Sequence, residues 1–223
     1  MAINEHLIKK VLLGLEDPQI RVVFTERYSE PLESFVHHMV VAFEGWKHLD
    51  HALCENKSEE GATVSALLYG ALNAHIVAMK LLISGLLVPS GNTQRYCLES
   101  LAMALLCSKR ELEVLARYRA GTYSCNKAVH EVIRRASKLN LDAGALQQLR
   151  RNIKFYDEFS HPSLLSLSSL MMLEAPDSGA VLGGAFDEGK AFGYEKEIAS
   201  RVNLAQVMPN ILFGVARNWH ESS

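Results

Sequence analysis

The chain lacks an excess of either charge: 23 Lys and Arg against 25 Asp and Glu leave a formal net charge of −2. That balance gives no electrostatic footprint for nucleic acid or anionic lipid, although a local basic patch can sit inside a neutral total. Cysteine is scarce as well. Cys54, Cys97, Cys107 and Cys125 show no C-x-x-C spacing, and three of the four lie in apolar helical patterns. Reduced buried thiols are therefore expected, rather than disulfides or a zinc site. No Pro/Gly/Ser-rich linker divides the 223 residues, so one domain over 1–223 is expected. The opening MAINEHLIKKVLLGLEDPQ has Glu5 ahead of a short apolar run and no small-residue cleavage site, so it does not read as a signal peptide. A reducing cytoplasm is the expected compartment. Walker, Ser-His-Asp and zincin signatures are missing too, and the pattern calls for neither a cofactor nor a metal.

What the sequence has in quantity is apolar helix. The stretch Gly61 to Val88 reads as one long helix, apolar almost all round, of the kind a soluble protein places at the centre of a helical bundle. Ala62, Ala66, Gly70, Ala74 and Ala78 form a ridge of small side chains that lets another backbone approach closely. Gly61 to Met79 carries no Asp, Glu, Lys or Arg and is long enough to cross a bilayer. Against a membrane span stand Asn73, His75 and Lys80, which would lie in or near hydrocarbon, and flanks without a Lys/Arg cluster or aromatic belt.

Periodicity and punctuation place further helices over residues 3–14, 19–27 and 31–55, with Ser29 as a cap for the third. Ser58 caps the central helix, and Pro89-Ser90-Gly91-Asn92 reads as the turn before a helix from Thr93 to Cys107. Ser108 and Glu111 have capping-box spacing for a helix ending at Gly121. Ser124 starts a helix through Leu139, and another runs from Leu141 or Asp142 past Tyr156 until Pro162 ends it. Helix resumes after Ser163, and the closing helix spans residues 195–219 with a kink at Pro209. Near 176–193 the glycines of V-L-G-G-A-F and A-F-G-Y read as a short hairpin or flap. A Gly-rich phosphate cradle would need a preceding strand and the P-loop order, which this stretch lacks. The expected fold is all-α: about eight or nine helices around residues 61–88. So much apolar helix surface, with the small-residue ridge, predicts a homodimer.

Two groups of residues invite chemistry. Glu33, His37, Glu44, His48, His51 and Glu55 line one side of the 31–55 helix, as ligands of a metal pair would, but they lie opposite the apolar stripe of Leu32, Phe35, Val36, Met39, Phe43 and Trp46. A solvated or dimer-facing surface is the expected reading. The second group is Arg95, Glu99, Tyr156 and His161, with His75 of the central helix as a fifth member. Each sits in an apolar neighbourhood, where polar groups are costly unless they satisfy one another, so they are expected to converge inside the bundle. The cluster is then either a closed structural lock or a pocket in which His161 acts as a base or Arg95 holds an anion.

The segments S-G-N-T-Q-R-Y-C-L-E-S, Ser90 to Ser100, and F-Y-D-E-F-S-H-P-S, Phe155 to Ser163, resemble a group of bacterial all-helical proteins similar to abortive-infection and HEPN-like domains. The matching positions are Arg95, Glu99, Tyr156, Ser160, His161 and Pro162. The resemblance implies a helical fold, a dimer, and either a non-enzymatic interaction or ligand-binding module of a defence or regulatory system or a HEPN-type ribonuclease acting on RNA. HEPN ribonucleases place four to six residues between Arg and His. Here Arg151 and His161 have nine between them, and Arg217 and His220 have two, so neither pair fits.

Overall fold

The computed structural model of the protein describes residues 5–14, 18–54, 58–141, 143–174 and 182–221. Among these residues there are ten α-helices and no strand. The helices are α1 Glu5–Leu12, α2 Gln19–Arg27, α3 Ser29–Leu53, α4 Glu59–Leu82, α5 Leu87–Ser108, α6 Val114–Arg119, α7 Ala128–Arg134, α8 Ala143–Asp157, α9 Leu164–Ser169 and α10 Ala191–Glu221. Short 3-10 turns add Arg110–Leu112, Cys125–Lys127 and Glu188–Lys190.

The apolar helix expected over 61–88 is α4, and it ends earlier than its apolar run. Gly85 takes φ +71, the Leu86 N–H donates to Leu81 O and the Gly85 N–H to Leu82 O, which is the left-handed glycine cap that stops a helix. Pro89 does not close α4 but sits in the first turn of α5, where a missing N–H costs nothing. The Ser90 hydroxyl then donates to Ala78 O at 2.7 Å, which draws α5 against α4 at the C-terminal half of the small-residue ridge. There Ala74 and Ala78 are buried, whereas Ala62 and Ala66 face outward. Helix α4 is long and apolar enough to cross a bilayer, and half of its most apolar window is buried within the fold.

Helix α5 shares the centre, since every residue from Ser100 to Lys109 is buried. Helices α3 and α10 pack on one another and on α4, and α7 and α8 cover α5. Side chains from α2, α3, α4, α5, α7, α8 and α10 join one apolar cluster, Phe24, Phe35, Leu72, Leu106, Val132, Ile153 and Met208 among them. Each such side chain contributes about 1.5–3 kcal/mol through removal from water. On α3 the buried stripe runs Phe35, Met39, Ala42, Leu49 and Leu53, while Val36, placed in that stripe from sequence, is 60% exposed. Glu33, His37, Glu44, His48 and His51 face outward as their opposite placement predicts, and Glu55 lies outside the described residues.

Three expected caps differ. Tyr28, not Ser29, precedes α3, and no side chain caps it. Ser108 does not open a helix but ends α5, its hydroxyl donating back to Leu105 O, and Ser124 bonds Asn126 rather than a helix terminus. Ser58 and Ser163 do cap α4 and α9, accepting from Gly61 N–H at 3.0 Å and Ser166 N–H at 3.1 Å. Of the hairpin or flap near 176–193, residues 175–181 lie outside the described residues. Residues 182–187 are irregular backbone before the 3-10 turn, and α10 begins at Ala191.

Candidate functional site

Helices α8, α9 and the first turns of α10 enclose a groove of about 730 Å³. Helix α8 is amphipathic: Ile153 and Tyr156 are buried, which leaves Phe155 partly turned to the groove beside Phe159. The chain leaves helix after Asp157 through the turn that Pro162 enforces, and Phe159 there packs on α5 at Gly91, where a Cβ would overlap the phenyl ring. Leu165 and Leu173 continue the apolar wall from α9 onward, and Phe192 and Tyr194 supply the α10 side. Phe192 is 68% and Leu173 53% exposed, so apolar side chains carry on to the rim.

The α9–α10 wall is held by Asp187 and Lys190. Asp187, 1% exposed, accepts from the N–H groups of Leu173 at 2.7 Å, Gly189 at 3.1 Å and Glu174 at 3.4 Å, with the Lys190 ammonium 3.5 Å away. Burial alone would raise its pKa, but these donors and the ammonium outweigh it and hold the carboxyl below the ordinary aspartate value. Lys190 also donates to Ser169 O at 3.1 Å and to Met171 O, closing the carbonyl end of α9.

Behind the groove runs a buried polar chain. Glu197 lines the groove and accepts from the Tyr156 hydroxyl at 3.2 Å and from Arg201 Nη2 at 3.1 Å. Arg201 is 1% exposed, and its Nε and Nη1 have no hydrogen-bond partner among the described residues. Its carbonyl lies 3.0 Å from His75 Nε2, while His75 Nδ1 lies 2.9 Å from the Gln94 carboxamide. A carbonyl only accepts, so Nε2 carries the hydrogen. Burial pushes the His75 pKa down to about 4, so the ring is neutral at pH 7. Gln94 Oε1 faces Nδ1, and exchanging the O and N of that carboxamide gives the unprotonated Nδ1 a donor. Burial, reinforced by Glu197, raises the Tyr156 pKa, and burial raises that of the Cys97 thiol.

The five residues expected in one interior cluster fall into three places. Tyr156 and His75 belong to the buried chain, Tyr156 at one end and His75 between Arg201 and Gln94. Arg95 and Glu99 form their ion pair at 3.0 Å, but with side chains 23% and 21% exposed, and the same Arg95 Nε stands 3.2 Å from Asp157 Oδ1 as a charge contact without a hydrogen bond. His161 is exposed on the turn after α8, and its backbone carbonyl accepts from the Ser166 hydroxyl and the Ser163 N–H. The apolar letters around His161 come from α8 and α9, which turn away from it at Pro162. Sequence reading passed over Glu197, Arg201 and Gln94. Arg201 lies on the buried face of α10 with Ile198, Ala205 and Met208, one turn from Glu197, the same signal that drew attention to Arg95 and Glu99. Among the described residues no group of three or more His, Cys, Asp or Glu could hold a metal ion.

The His75 environment has a measurable consequence. Its folded pKa, about 4, lies below the ordinary histidine value near 6.5, so between those pH values the unfolded chain takes up a proton that the folded protein refuses. Stability is expected to fall by about 1.4 kcal/mol per pH unit from this group as pH drops through that window, and to be unaffected by it above pH ~6.5. Urea unfolding of the wild type and of His75→Gln from pH 7 to 5 checks this, because the variant should lose one proton's worth of slope. Equal slopes would mean that His75 titrates normally.

Comparison with protein-family models, curated proteins and solved structures finds no match to this chain. What defines the protein is thus its own geometry: an all-α fold with an apolar groove backed by a buried ion pair.

Proposed function

We propose that the protein is a non-enzymatic ligand-binding module of a bacterial defence or regulatory system, and that the groove between α8, α9 and α10 holds a small molecule with an apolar body. The groove itself carries this reading: its volume of about 730 Å³ is that of a small-molecule site, its wall is apolar, and aromatic side chains stay exposed at its rim. The titratable groups behind it favour binding over acid–base catalysis. His75 is held neutral with both ring nitrogens engaged, and the raised pKa values of Tyr156 and Cys97 keep both protonated at neutral pH.

Nile red, a neutral apolar dye, tests the reading directly. It is expected to bind saturably and to lose about tenfold or more in affinity in Phe155→Ala/Phe192→Ala, whose far-UV circular dichroism should match the wild type because both rings are already partly exposed. Absence of binding, or equal binding by the variant, would remove the groove from consideration. Tight RNA binding that weakens steeply with salt would favour the HEPN-type ribonuclease instead. The same proposal includes a homodimer in a bacterial cytoplasm, supported by Val36 and Val40 on α3 and Ile76 and Val77 on α4, which face outward. Sedimentation as a monomer at micromolar concentration would exclude that dimer.

A further inference from the structure

Four charged side chains line the groove, and two of them are already answered from within the fold. Lys190 is spent on Ser169 O, Met171 O and the Asp187 carboxylate. The charge of Glu197 is met by Arg201, with the Tyr156 hydroxyl as a further donor. The other two are Arg151 of α8 and Lys196 of α10, and among the described residues neither has a carboxylate within ion-pair distance. We infer that the groove's ligand is an amphipathic anion, a small carboxylate or comparable oxyanion joined to an apolar body, with its charged head between Arg151 and Lys196. The inference rests on the groove being the binding site, and it goes further by naming the charge of the ligand.

Both cations are held in place rather than left free. Arg151 gives one Nη2 hydrogen to Gln148 Oε1 at 2.8 Å, one turn earlier on α8, which orients the planar guanidinium and leaves other N–H groups for an oxyanion. The Lys196 ammonium stands 4.2 Å from the centroid of the Phe192 ring, so its stem and charge lie over the groove mouth. Two positive groups beside an apolar wall attract an anion more strongly than the same groups in open water, because the wall lowers the local dielectric. A neutral apolar ligand would leave both charges unanswered, and a cationic one would be repelled. The concave shape selects a free small molecule that the groove can surround, rather than the flat headgroup layer of a membrane.

Displacement of Nile red by three matched compounds, decanoate, decanol and decylammonium, tests the charge separately from the groove. Decanoate is expected to displace the dye about tenfold more effectively than decanol, and decylammonium least effectively, as hydrogen bonds to charged groups imply. Arg151→Gln and Lys196→Gln should each weaken decanoate by about tenfold and leave decanol unchanged. Both positions are exposed, so unchanged circular dichroism is expected for each variant. If Nile red binds while decanoate and decanol compete equally, the anion inference fails and the groove reading stands. If decanoate keeps its advantage in both Arg151→Gln and Lys196→Gln, the head is bound elsewhere and the inference fails. If Nile red does not bind at all, the groove reading fails and takes this inference with it.

Discussion

Replacing Arg201 with alanine is expected to lower the free energy of unfolding by about 3–5 kcal/mol, the usual effect of removing one partner of a buried ion pair. The guanidinium is 1% exposed on α10 and the Glu197 side chain only 13% exposed, so the truncation leaves a carboxylate in a poorly hydrated site with Tyr156 as its remaining donor. A cavity adds to the loss. The paired variant Arg201→Met/Glu197→Gln separates these causes. It removes both charges while keeping most of the volume, and it should recover most of the stability, because a buried pair often contributes little over apolar residues of the same size. The two Arg201 nitrogens without a partner among the described residues, Nε and Nη1, strengthen that expectation, since they carry a desolvation cost that methionine avoids. Urea unfolding at pH 7 gives the answer. A loss below ~1 kcal/mol in Arg201→Ala would mean that the pair is screened by water. By the same logic the Arg95–Glu99 pair, about a fifth exposed at each end, should contribute far less.

Gly85→Ala is expected to cost about 3 kcal/mol, more than the left-handed backbone alone explains. At φ +71 any side chain is strained, and here a Cβ would also run into the backbone of Ala185. Gly121→Ala serves as the comparison. Gly121 has nearly the same φ, +69, with nothing within 4 Å of where its Cβ would lie, so only the backbone penalty of about 1–2 kcal/mol applies. Equal losses in the two variants would show that the Ala185 contact yields at no cost. The contact matters for the groove because Ala185 is followed by Phe186, which packs on Phe24 and Tyr194, and then by Asp187. A variant that lifts this segment should therefore weaken Nile red binding as well as stability.

Several features were legible in the residue pattern because they are local. Helix period, the outward His/Glu stripe of α3, the serine cap at Ser58, and the breaks at Gly121 and Pro162 depend on neighbours within a turn or two. Where two local signals competed, the pattern misled. Pro89-Ser90-Gly91-Asn92 looks like a stronger turn than Ser84-Gly85-Leu86. Yet proline fits the first turn of a helix, and Gly91 is needed there only because Phe159 arrives from far along the chain. An apolar neighbourhood in sequence was likewise a poor guide to burial for His161, since the helices on either side diverge at Pro162 and leave it in solvent.

By itself the sequence determined that the chain is a bundle of helices with more apolar surface than charge, and that its polar groups within apolar helices must find partners. Which partners they find was decided by the tertiary structure alone. His75 meets the carbonyl of Arg201, 126 positions away, and Tyr156 meets Glu197, 41 positions away. No periodicity encodes such pairings, which follow from how α4, α8 and α10 cross once the apolar faces have packed. The groove arose in the same way, as the space left where α8 and α9 turn at Pro162 and Asp187 holds the start of α10 against them.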